Sequence, residues 1–170
     1  MTTSTTFKQY LDWFASVGDP IAGLSLKFGR RWKAAELPFD VKLGRQHQCF
    51  QESRALVLAQ PKRFTYVEGY AFKRLLPLHH AWCVDEHGNV VDPTWSDIES
   101  AVYCGTAFRH NAVYEGTRAK NDWGFLGTPR FSEKIIASPE RFLMPLDSHK
   151  WGAPTLSLDV ALDGVTLSPL

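Results

Sequence analysis

The chain has 170 residues, 44% of them apolar and 22% charged, and a formal net charge of +1. This length and composition suit one soluble domain that buries a substantial core. Near-neutral charge removes the electrostatic case for nucleic acid or an anionic membrane as a partner, and no apolar window approaches the length of a membrane span.

Three cysteines are present, Cys49, Cys83 and Cys104. The odd count and the lack of a Cys-x-x-Cys pair indicate neither a disulfide framework nor a zinc knuckle. The opening MTTSTTFKQYLDWF lacks the basic start and apolar run of a signal peptide. The expectation is a cytoplasmic protein with reduced thiols that needs no cofactor or metal.

In chain order, a Ser/Thr cluster precedes a first helix in which Phe7, Leu11 and Phe14 fall on one face, and Gly18-Asp19-Pro20 stops it. Residues 21–39, with basic residues clustered from Lys27 to Lys33, read as a solvated connector. The polar run GRQHQ leads into a helix over 49–60 that Pro61 ends. RFTYVEGYAF alternates and is rich in aromatics, which predicts a strand. HHAWCVD and NVVDPTW predict two more strands, over 80–85 and 89–95, with Gly88 as the left-handed residue of a three-residue turn. AVYCGTAF predicts a fourth strand and SPERFL a short helix. Residues 151–170, poor in basic side chains, read as a tail or added edge on a single domain over residues 1–150. Helices first and an antiparallel meander after them make the fold class α+β.

The hairpin carries the chemistry. If Asp85 lies opposite Asn89, then Trp82 lies opposite Asp92 and His80 opposite Thr94. All four of these project from one face. His80 and Asp92 are then diagonal neighbours, roughly 7 Å apart at their β-carbons, within reach of one hydrogen bond. The aspartate would fix the imidazole tautomer and stabilise the imidazolium. His79 must point the other way and reads as a partly exposed flank. Cys49 stands at a predicted helix start, where free N–H groups and the helix dipole stabilise a thiolate and can hold the oxyanion of an attacked carbonyl. The helix is expected to lie across the hairpin face that carries His80. Cys83 and Cys104 lie inside predicted strands, with no such support. Glu68, between Tyr66 and Tyr70 on one strand face, is a candidate contact for a substrate amine. Trp82, Trp95 and Tyr103 are candidates for an apolar wall that excludes water.

A cysteine at a helix start, HAW on one strand and DPTW on the next resemble the transglutaminase-like branch of the papain-like cysteine enzymes. The resemblance spans residues 44–108. It implies a helix carrying the cysteine packed on an antiparallel sheet, with Cys49 as nucleophile, His80 as base and Asp92 as orienting residue. It also implies thiol-mediated acyl transfer on a peptide, protein or small amide or acyl substrate: hydrolysis, deamidation or transfer to an amine. Papain-type peptidases carry an oxyanion glutamine six residues before the cysteine, where this chain has Leu43. Gln46 and Gln48 are the nearer candidates. The aromatic residue that often follows the cysteine in transglutaminases is matched by Phe50.

Two other functions compete. One is a catalytically inactive binding or adaptor protein on the same scaffold. The other is a zinc site assembled from Cys49, His47, one of His79 and His80, and Cys83, although these spacings match no standard ligand pattern.

Overall fold

The computed structural model describes residues 5–73, 76–98, 100–119 and 123–162. Helix α1, Phe7–Ser16, opens with a capping box in which Thr6 accepts from the Gln9 N–H and the Gln9 side chain accepts from the Thr6 N–H. Thr6 is the described part of the predicted Ser/Thr cap; residues 2–4 lie outside the described set. Phe7, Tyr10 and Leu11 are buried, and burying one such side chain contributes roughly 2–3 kcal/mol.

The predicted connector over 21–39 is corrected. Helix α2 spans Pro20–Phe28, and strand β1 spans Arg30–Trp32. Asp19 and Pro20, read as a stop, are also a start: the Asp19 carboxylate accepts from the Ile21 and Ala22 N–H groups, and Pro20 takes the first helical position. Small residues on α2 (Ala22, Gly23, Ser25) blur its apolar period. The basic cluster is structural at two positions, since Arg30 donates to the Gly152 carbonyl and Arg31 to the Ser157 carbonyl.

Helix α3, Cys49–Ala59, and strand β2, Thr65–Phe72, stand where predicted. Strands β3, Pro77–Val84, β4, Val90–Val91, and β5, Val102–Ala107, complete one antiparallel five-stranded sheet in the order β1-β5-β2-β3-β4. Every residue of the central β2 is buried because both sheet faces are covered. Tyr66, Tyr70, Ala81, Cys83 and Cys104 face the larger core, and Val67, Ala71, Trp82, Val84 and Tyr103 face a smaller one with Trp32.

The hairpin register is the predicted one. Asp85 N–H donates to the Asn89 carbonyl, Cys83 lies opposite Val91, and Gly88 has φ +78°. The second strand is far shorter than 89–95, because the Asp92 side chain captures the N–H groups of Thr94 and Trp95 and folds DPTW into a turn. Beyond Cys83, β3 has no strand partner on that side among the described residues.

Helices α4, His110–Arg118, and α5, Pro129–Ala137, were not expected; α6, Pro139–Phe142, was. Gly116 interrupts the pattern of α4, yet a β-carbon there would overlap the Phe125 ring. Part of the C-terminal stretch pairs with the residues that lead into α1, in an isolated antiparallel bridge between Thr6 and Ala161. Phe7 N–H donates to Val160, Leu162 N–H donates to Thr5, and Leu162 is fully buried. Residues 163–170 lie outside the described set. No helix among the described residues is long and apolar enough to cross a membrane.

Candidate active site

Cys49 is the first residue of α3 and is 8% exposed. The turn before it is tight, with His47 at φ +63°. Gln48 makes no side-chain cap, so the first-turn N–H groups of Cys49 and Phe50 have no intrahelical acceptor. Two bonds fix the helix to β3: Ser53 Oγ donates to the Ala81 carbonyl at 3.1 Å, and Cys83 Sγ donates to the Ser53 carbonyl at 3.3 Å.

Those contacts place α3 on the face of β3 that carries His79, Ala81 and Cys83. The expectation that the helix lies across the His80 face is therefore corrected. The thiol reaches His80 nonetheless, because β4 is only two residues long and leaves the edge of β3 uncovered beside the start of α3. Cys49 and His80 line the same groove, and the nearness of Cys49 adds to what favours the charged His80 ring. The Nε2 of that ring lies 2.7 Å from Asp92 Oδ2, which leaves Nδ1 for the sulfur.

Asp92 is fully buried and accepts five hydrogen bonds. Oδ1 takes the Thr94 N–H, the Thr94 hydroxyl and the Trp95 N–H; Oδ2 takes His80 and the Tyr103 hydroxyl at 2.9 Å. Burial is the largest influence and pushes the carboxyl pKa up, but the His80 charge and these donors outweigh it and hold the pKa below the ordinary carboxylate value. Burial likewise works against the His80 imidazolium, yet the Asp92 charge and hydrogen bond, with Cys49 adding to them, raise the His80 pKa to about 9. The Trp95 ring stacks on His80 with centroids 4.1 Å apart.

The candidate side chains separate into three groups. Cys49, His80, Thr94 and Trp95 line one groove of about 260 Å³, together with His47, Phe50, Leu78 and His79. Trp82 and Tyr103 are fully buried behind His80 and do not line it. Tyr103 instead orients Asp92, and burial followed by the Asp92 charge raises its phenol pKa. Neither Gln46 nor Gln48 lines the groove, whereas His47 between them, with its left-handed backbone, does.

Glu68 is not on a substrate-facing surface. It is fully buried, with Oε1 accepting from His79 at 2.9 Å and from Leu126 N–H, and Oε2 accepting from the Tyr66 hydroxyl and Phe125 N–H. His79 is the partly exposed flank expected, and its imidazole is paired as well. Its carboxylate partner was visible in the sequence only as parity, since Glu68 and His79 share a sheet face in the β2–β3 register. Among the described residues no three His, Cys, Asp or Glu side chains converge as metal ligands would.

No family model, curated protein or solved structure matches the chain.

Proposed function

We propose that the protein is a thiol enzyme that transfers acyl groups through a Cys49 thioester, with a core of the papain/transglutaminase-like kind. The observation that carries this reading is the hydrogen-bonded pair Asp92–His80 beside Cys49, which stands at a helix start without a side-chain cap and lines the same groove as His80. In the first half-reaction the Cys49 sulfur forms a bond to the substrate carbonyl carbon. The oxyanion turns toward the Cys49 and Phe50 N–H groups. The His80 imidazolium gives its proton to the leaving amine, and the C–N bond breaks. In the second half-reaction, water or an amine attacks the thioester, His80 takes the proton, and the thiolate leaves. Asp92, dry and fully bonded, keeps His80 in one tautomer and favours its charged form.

The test is intact-protein mass spectrometry after exposure to aryl-ester acyl probes. One acyl group on Cys49, lost on hydroxylamine treatment and absent from Cys49→Ala, is the expected result. A well-folded wild-type protein that takes no acyl group on Cys49 would hand the scaffold to the non-catalytic binding reading.

A further inference from the structure

The groove carries a second imidazole–carboxylate pair that the triad does not use. His79 and His80 are adjacent, project from opposite faces of β3, and both line the groove. Glu68 stands behind His79 as Asp92 stands behind His80. Each Glu68 oxygen already accepts a backbone N–H, from Leu126 at 2.7 Å and from Phe125 at 2.8 Å. The carboxylate therefore acts as an acceptor, and His79 Nε2 is its donor. In the neutral ring this leaves the lone pair on Nδ1.

The ring is also held in place. Phe50, the residue after Cys49, packs on it with centroids 4.8 Å apart. The chain passes behind both at Gly124, where φ is +84° and a β-carbon would lie 2.6 Å from Glu68 Oε1 and from the Phe50 ring. On the other side stands Gly127, an exposed glycine. A β-carbon there would lie 2.9 Å from His79 Cε1 and 3.2 Å from Nδ1. Gly127 brings no side chain against the Nδ1 edge, and the His79 side chain, which lines the groove, keeps 21% of its surface exposed.

We propose that His79 Nδ1 accepts a hydrogen bond from an incoming primary amine, making the protein an amine-directed acyltransferase, with Glu68 as the positioning residue that fixes the His79 tautomer. The inference rests on the thiol-enzyme reading above. In the step it serves, the amine nitrogen forms a bond to the thioester carbonyl carbon and the C–S bond breaks, releasing the Cys49 thiolate. One amine proton passes to His80, giving back the imidazolium–thiolate pair. The second N–H rests on His79 and aims the nitrogen lone pair at the carbonyl.

The experiment acylates Cys49 with p-nitrophenyl acetate and offers n-butylamine in water. It measures the ratio of N-butylacetamide to acetate for wild type, His79→Gln and Gly127→Ala. Free ester is removed before the amine is added, so both products leave the same acyl-enzyme and their ratio is independent of how much protein is folded or acylated. One lost hydrogen bond in the aminolysis step lowers the amide-to-acetate ratio about tenfold. That drop is expected in His79→Gln, and also in Gly127→Ala, whose methyl crowds the Cε1–Nδ1 edge of the His79 ring and displaces it. An unchanged ratio in both variants overturns the inference, as does a wild-type acyl-enzyme that yields acetate alone. Either result leaves the thiol reading standing. Failure of Cys49 to acylate at all removes that reading and this inference with it.

Discussion

Replacing Asp92 by asparagine removes the charge that sustains the His80 imidazolium while keeping the side chain's size. The His80 pKa stands at about 9 against an ordinary 6.5, with burial already opposing it. The difference of 2.5 is worth about 3 kcal/mol, or roughly 300-fold in favour of the charged ring. Without the carboxylate, burial remains and the pKa is expected to fall below 6.5. Because the imidazolium donates the proton to the leaving group, kcat/KM should have an alkaline limb near pH 9 in the wild type. In Asp92→Asn that limb should move down by more than about two pH units, with roughly 10-fold or greater loss at pH 7.5. The same coupling acts on stability. The folded pKa of His80 is raised, so its contribution is complete below pH 6.5 and fades as the pH climbs through about 9. The assay is a pH–rate profile for both proteins with a thermal melt at each pH. A folded Asp92→Asn enzyme with an unmoved alkaline limb would refute the assignment of His80 as the acid.

Other outcomes follow from the same geometry. Cys49 should alkylate before Cys83 and Cys104, because burial raises the Cys83 thiol well above its ordinary pKa and Cys104 to about 12; peptide mapping after brief iodoacetamide treatment reads the order. Tyr103→Phe removes one of the five donors on Asp92 and should cost about 1–2 kcal/mol in urea unfolding, with the His80–Asp92 hydrogen bond intact. Gly69→Ala should abolish soluble folding, or destabilise by about 3 kcal/mol or more, because the new β-carbon would overlap the backbone of Cys104 and Gly105 on the neighbouring strand.

The pairing of His80 with Asp92 was legible because strand parity is local. Asp85, Gly88 and Asn89 fix the turn, and the turn fixes which side His80 and Asp92 share. The cap at Thr6, the stop at Pro61 and the strand through Tyr66–Tyr70 were equally local. What the residues did not disclose depended on distant partners. The face of β3 that α3 chooses is set by Ser53 meeting Ala81 and Cys83. The burial of Glu68 is set by the N–H groups of Phe125 and Leu126, more than fifty residues away. Helix α2 went unread because Asp19-Pro20 ends one helix and begins another, and both meanings use the same two residues.

The doubled histidine also shapes how the chain finds its register. A slip of β3 by one residue would bring His79 to the Asp92 side and His80 to the Glu68 side, so each imidazole would still meet a carboxylate. Ion pairing is therefore almost blind to this error, and the polar groups alone would leave two arrangements of similar energy. The discrimination comes from volume. Trp82, now fully buried beside Tyr103, would be driven against Ser53 on α3, where only Ala81 and Cys83 fit. In this strand the bulky indole acts as the proofreader of the assembly, and the two histidines inherit their positions from it.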